Sequence, residues 1–289
     1  MSHASAPLVT PFFHAPTSTW SCVVADPGSR AAAIVDPALD FEPKAARTGT
    51  LLADAILAHV HEKKLEVAWI LETHAHADHL SAAQYLKAET GAKVAIGRGI
   101  TRVQSHFRDF YGLGAGFPVD GSQFDRLWDD GDTFAIGGIQ ARVLATPGHT
   151  SDSLTYVIGD AAFVGDTLFA PDVGTARCDF PGGDAVLLWR SIGRILELPP
   201  TTRLFLAHDY PPPGREPQSE SSIAAQRERN AHLAGKDEAA YVALRTARDA
   251  TLPVPQLLLP ALQVNIRAGR LPEPDADGHR YLRIPLDRL

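Results

Sequence analysis

Cysteine is scarce: Cys22 and Cys178 are the only two in 289 residues. Two thiols make neither a disulfide framework nor a thiolate zinc site, and their scarcity fits a reducing, cytoplasmic setting. Any metal would therefore be held by histidine and carboxylate. No apolar run approaches the roughly 18 residues of a membrane span. The stretch Met1–Pro7 lacks a basic region followed by an apolar one, so secretion is not expected. Blocks of Lys and Arg are missing and the formal net charge is −7, which argues against nucleic acid as the main partner. Local basic residues still suffice to grip a small anionic substrate. No internal repeat or low-complexity tract occurs. With 45% hydrophobic residues, the chain has the makings of a large core.

Residues 20–36 read as a hairpin, with strands around Ser21–Val24 and Ala31–Val35 flanking the turn residues Asp26, Pro27 and Gly28. Residues 50–63 have a helical pattern, with Leu51, Leu52, Ile56, Leu57 and Val60 on one face. Val67–Leu71 is a short buried strand, residues 80–90 a helix ended by Gly91, and Lys93–Ile96 the next strand. Residues 104–120 show aromatics and glycines without a period and read as a flap. Residues 133–169 are strand-rich, Asp184 caps a helix running to about Leu198, and Arg203–Ala207 is another strand. The expected architecture is α/β, a four-layer αββα sandwich over residues 1–213. A C-terminal helical extension over 214–289 is expected to pack on it.

Histidine is what the sequence has in quantity: twelve residues. His74-x-His76-x-Asp78-His79 puts four potential ligands into six positions directly after a buried strand. In an extended stretch, alternate side chains share a face, so His74, His76 and Asp78 converge and His79 follows. A lone histidine at a strand end is more often structural, but this density points to a metal site. Thr146-Pro147-Gly148-His149-Thr150, Gly165-Asp166-Thr167 and Ala207-His208-Asp209 repeat the layout, each putting a ligand type at a strand end.

These four motifs together resemble the metallo-β-lactamase superfamily over residues 74–208. In two-metal members of that superfamily, residues like His74, His76 and His149 hold one ion. Those like Asp78, His79 and His208 hold the other, and the residue like Asp166 bridges. All seven are present, so ligand counting leaves one metal or two open. Thr73–His79, Arg177-Cys178-Asp179-Phe180 and Ala207-His208-Asp209-Tyr210 further resemble the persulfide (sulfur) dioxygenases. The tail stretches Leu244–Leu252 and Leu262–Pro272 resemble a bacterial β-lactamase hydrolase-like subgroup. The resemblance implies one Fe(II) held by His76, His149 and Asp166, with His74, Asp78, His79 and His208 as a surrounding shell or an unused second site. It implies oxidation of glutathione persulfide by O2 to sulfite and glutathione. Cys178 departs from the Thr that many relatives carry in an Arg-Thr-Asp-Phe run. The alternative is a two-zinc hydrolase like glyoxalase II, cleaving a glutathione thioester, although that family usually has a third consecutive His where Ala75 stands.

For substrate contact, Arg177 offers a planar fork for a carboxylate and Tyr210 a hydroxyl donor. Against these stand a surface salt bridge for Arg177 and plain packing for Tyr210. Arg215, Asn265 and Arg267 are weaker candidates. Cys178 reads as a packed small hydrophobe. His59 and His61 do not share a helix face and read as solvated. His3, His14, His106, His232 and His279 have no partner pattern. The apolar run Leu257–Leu262 suits either a homodimer interface or a buried edge.

Overall fold

In the computed structural model, which describes residues 6–288, the chain opens with β1 (Leu8–His14), β2 (Thr19–Ala25), β3 (Ala31–Val35), the short β4 (Ala38–Glu42) and β5 (Arg47–Gly49), then helix α1 (Leu51–Glu62). Next come β6 (Glu66–Leu71), β7 (Leu80–Ser81), α2 (Ala83–Thr90), β8 (Lys93–Gly97), α3 (Ile100–Phe110) and β9 (Arg126–Trp128). The second half holds β10 (Thr133–Ile136), β11 (Ile139–Ala145), β12 (Leu154–Ile158), β13 (Ala161–Phe163), α4 (Ala185–Leu196), β14 (Arg203–Phe205) and β15 (Glu220–Ser222), followed by α5 (Ile223–Arg229), α6 (Glu238–Asp249) and α7 (Leu258–Asn265). His3 lies outside the described residues.

Two six-stranded sheets form the centre, in the orders β1-β2-β3-β6-β8-β9 and β10-β11-β12-β13-β14-β15. Strand alternation decides what each face meets. Ala33 and Val35 of β3 turn inward, where with Leu71 they pack on Phe134, Ile136, Val143, Tyr156 and Phe163 of the other sheet. Ala32 and Ile34 turn outward onto Ile56, Leu57 and Val60 of α1, Leu86 of α2, Phe107 of α3 and Leu262 of α7. On the far side, Ala162 and Leu204 pack on Leu188, Ile192 and Ile195 of α4 and Tyr241 of α6. The result is helix, sheet, sheet, helix, the expected four-layer α/β sandwich. No helix among the described residues is long and apolar enough to cross a membrane.

Two expectations are revised. The flap expected over 104–120 begins as helix: α3 carries Val103, Phe107 and Phe110 at helical spacing, all buried. The core does not stop at residue 213, because β15 lies beyond it and pairs antiparallel with β14 as the outer strand of the second sheet. The Leu257–Leu262 run is mostly a buried edge: Leu257, Leu258, Ala261 and Leu262 join the core on the α1–α3 side.

Candidate metal centre

Every potential ligand leaves the end of a strand. The segment 72–79 follows β6, His149 follows β11, Asp166 sits in a single 3-10 turn after β13, and His208 follows β14. Local chemistry fixes each loop. Gly148 has φ +137°, and a Cβ there would lie 2.3 Å from the Leu188 backbone nitrogen, so only glycine lets this turn pass under α4. Asp36, at the end of β3, adopts the left-handed region with φ 47°. From there its carboxylate accepts hydrogen bonds from the Thr73 backbone N–H (2.7 Å) and hydroxyl (2.8 Å). Asp152 accepts from the backbone N–H of Ala75 at 2.8 Å.

The side chains meet in two groups that share a wall. His74, His149 and Asp166 bring ligand atoms within 4.8 Å of one another, as do His76, Asp78, His79 and His208. Asp166 reaches both: Oδ2 lies 3.6 Å from His149 Nε2 and 4.0 Å from His74 Nε2, while Oδ1 lies 3.3 Å from His208 Nε2. His208 Nε2 is also 3.1 Å from Asp78 Oδ2. All but the partly exposed Asp78 are buried, and His74 Nε2, both His76 ring nitrogens, Asp78 Oδ2, His79 Nε2, Asp166 Oδ1 and His208 Nε2 have no hydrogen-bond partner. Orphaned buried polar atoms are costly, and here they cluster together. The donor set, imidazole nitrogen with carboxylate oxygen, fits zinc or iron.

The electrostatics agree. Burial, then the neighbouring imidazoles, hold His74 and His76 well below the usual histidine range, in the neutral form a metal needs. Burial raises the Asp78 carboxyl, but His208 and the hydrogen bond from His79 outweigh it and leave it well below its ordinary value. Asp166 is raised by burial beyond what His208 and His149 take back. His149 Nδ1 donates to the Arg177 carbonyl at 2.6 Å, which sets the tautomer and leaves Nε2 toward Asp166.

The triad expected from the sequence, His76 with His149 and Asp166, is not the one that assembles. His74 joins His149 and Asp166. His76 Nε2 lies 3.1 Å from Asp36 Oδ1 and 3.9 Å from Glu72 Oε2, a third cluster of potential ligand atoms, while His76 also belongs to the group of Asp78, His79 and His208. The alternation argument fails because 72–79 is a series of bends rather than an extended strand.

A cavity of about 860 Å³ opens over Asp78, His149 and Asp166 and is walled in part by Arg177, Phe180, Tyr210 and Arg248. Both expected substrate contacts, Arg177 and Tyr210, line it. The Arg177 fork is already committed: it bonds both Asp179 oxygens (2.6 and 2.7 Å) and the carbonyls of Pro253 and Leu252 (2.6 and 3.4 Å). Tyr210 stacks on His208, ring centroids 5.8 Å apart. Of the weaker candidates, Arg215 is paired with Asp209 and Asp172, and Arg267 lies over Phe117. Asn265 lies beneath the His-rich loop. Cys178 is buried, and burial together with Asp249 pushes its thiol up to about 12, which suits packing rather than attack.

Sequence reading missed Asp36, Glu72, Thr19 and His232. Thr19 Oγ1 lies 3.3 Å from His208 Nδ1. His232, in the cavity wall, accepts at Nδ1 from the Thr175 backbone N–H at 3.0 Å, and its ring covers Gly174. Asp36 did leave a signal, an Asp-Pro closing a strand beside the metal-bearing one, but it reads equally as turn chemistry.

Comparison with known proteins places these features. A Beta-lactamase hydrolase-like protein of Xylella fastidiosa is 56% identical over 283 residues, which is 98% of this chain but 65% of that protein, so the chain spans about two thirds of that relative's length. Glyoxylase B2 of Dictyostelium discoideum is 49% identical over 278 residues, 94% of each chain. More distant is the human mitochondrial persulfide dioxygenase ETHE1, 28% identical over 266 residues, 91% of this chain and 89% of that one. The crystal structure of ETHE1 from Myxococcus xanthus superposes with a TM-score of 0.72 at 30% identity, covering 91% of this chain and 100% of that one. The family model of the Metallo-beta-lactamase superfamily matches residues 15–208, which hold all seven ligand candidates, and the chain belongs to that superfamily.

Proposed function

We propose that the chain is an iron-dependent persulfide dioxygenase that converts glutathione persulfide, O2 and water to glutathione and sulfite. The observation that carries this reading is the His74–His149–Asp166 group, two imidazoles and one carboxylate, of which His149 and Asp166 line an open cavity. Such a set leaves part of a metal's coordination sphere free. The likeness to the two ETHE1 proteins supports it. A ferrous ion held by these residues would supply the redox chemistry that lets O2 react with a persulfide sulfur.

The chain's own residues do the rest. The Arg177 carbonyl holds the His149 proton on Nδ1 and so presents Nε2. Phe180 sits edge-on to His149, ring centroids 5.5 Å apart, and shields that side from water. Arg248 is an arginine of the cavity wall without an ion pair among the described residues, so its charge is available to the carboxylates of a glutathione moiety.

A second reading has its own support. His76, Asp78, His79 and His208 form a complete second group, which suits a dinuclear zinc hydrolase that activates water against a thioester. The glyoxylase name of the Dictyostelium relative points the same way.

Anaerobic purification, elemental analysis, oxygen uptake with glutathione persulfide and hydrolysis of S-lactoylglutathione separate the two. About one iron per chain with persulfide-dependent oxygen consumption is expected. In that case Asp166→Ala abolishes iron binding and His79→Ala retains most of it. Two zincs, no oxygen uptake and thioester cleavage would sink the dioxygenase reading.

A further inference from the structure

The C-terminal helix α7 reaches the metal centre through one side chain. Asn265 is 5% exposed and spends every polar group on the loop that carries four potential ligands. Its Nδ2 donates to the backbone carbonyls of His76 (2.7 Å) and His79 (2.8 Å), and its Oδ1 accepts the Ser81 backbone N–H at 2.8 Å. The two carbonyls lie in a stretch of bends outside the sheets, and Ser81 belongs to the short β7 that follows it and pairs with β4. The approach is close all along this turn: a Cβ on Gly269 would lie 2.9 Å from the Ser81 carbonyl oxygen.

We propose that Asn265 is a positioning residue of the metal centre. It fixes the spacing of the His76 and His79 backbones, and so holds the bend that sends His74 to one ligand group and His76 to the other. An amide is the one side chain of this size that offers two N–H donors and an acceptor at once. Aspartate has the same shape but would turn two donated bonds into oxygen–oxygen repulsion, while keeping the Ser81 bond. This inference rests on the site being a metal centre, not on which metal it holds or which reaction follows.

The test measures metal binding without turnover. Metal-free full-length protein is titrated with Zn(II) and with Co(II) against a chromophoric chelator. The visible spectrum of the Co(II) form and the melting temperature of the metal-free form are recorded alongside. Asn265→Asp is expected to weaken binding about 10- to 100-fold, the range for losing a group that orients a ligand, and to alter the Co(II) spectrum. Gln84→Ala is the control: it removes a hydrogen bond from α2 to the Ala268 carbonyl of the same C-terminal turn (3.0 Å) without touching the loop. It should bind metal like the parent. If Asn265→Asp does not fold, Asn265→Ser, which introduces no charge, takes its place, with a loss of about tenfold or more expected. Parental affinity and spectrum in the Asn265 variant, or an equal loss in Gln84→Ala, would overturn the proposal.

Discussion

Removing the guanidinium of Arg245 should cost more stability than removing Arg245 and Asp249 together costs per residue, and the structure says why. Arg245 is 1% exposed and Asp249 5%. Within α6, Arg245 Nε donates to Asp249 Oδ1 at 2.8 Å and Nη2 lies 2.6 Å from the same oxygen. Nη1 donates to the Thr175 carbonyl at 2.9 Å, and Asp249 Oδ2 accepts the Cys178 backbone N–H at 2.9 Å. Arg245→Met strands a buried carboxylate with only the Cys178 amide and thiol as partners. Breaking one side of a buried pair costs about 3–5 kcal/mol. With a urea m-value near 3 kcal/mol per molar, that is a midpoint shift of roughly 1–1.7 M. Arg245→Met with Asp249→Leu removes both charges and should lose clearly less than the sum of the single variants. Urea unfolding of the metal-free protein, followed by circular dichroism, measures both. The pair also anchors the segment whose Arg177 carbonyl holds His149, so folded variants should bind metal about tenfold more weakly. A loss under about 1 kcal/mol for Arg245→Met, or strict additivity in the double variant, refutes the reasoning.

Gly148→Ala should be destabilising by about 3–5 kcal/mol, the sum of backbone strain at φ +137° and a clash with Leu188; thermal unfolding reads it, and a near-parental melting temperature contradicts the close approach. His232 is held down to about 4 by burial and then by Arg245 and Arg248, whereas an imidazole in the unfolded chain titrates near 6.5. The unfolded state therefore binds the extra proton between those values, so this contribution to stability is intact above about pH 6.5 and is lost as pH falls toward 4. In His232→Gln, urea midpoints measured across that window should fall less steeply than in the parent.

Much of the site was legible because ligand chemistry is local. Histidines and carboxylates at strand ends announce themselves by residue type, and the strands before them are short apolar runs. What escaped were features decided by distant partners. Pro11 hides β1, since proline argues against a strand; it is tolerated because, among the described residues, β1 is the edge of its sheet and pairs only with β2. Arg177 was legible as a cation near the metal. A salt bridge was weighed for it as well, but that carbonyls about 75 residues away take its remaining donors was not legible. Asn265 read only as a weak candidate for substrate contact, and its grip on the His-rich loop gave no local signal, because its partners lie 184 to 189 positions back along the chain.

The number of metals is a question of charge as well as of ligands. Asp78 and Asp166 are the carboxylates of the two groups built from the predicted ligands, and the imidazoles around them are neutral when they bind metal. Asp36 and Glu72 stand just behind His76, where Asp36 accepts from Thr73 and Glu72 from Ser81. One divalent cation balances Asp78 and Asp166. A second brings two more positive charges into a buried space, where uncompensated charge is expensive. It must arrive with hydroxide or an anionic substrate, or draw on Asp36 and Glu72 through His76. Complete ligand sets are thus compatible with a resting site that holds a single ion. The arm that would stabilise a second one is the Asp36–His76 contact, so Asp36→Asn should weaken binding of a second zinc more than the first in the same chelator titration.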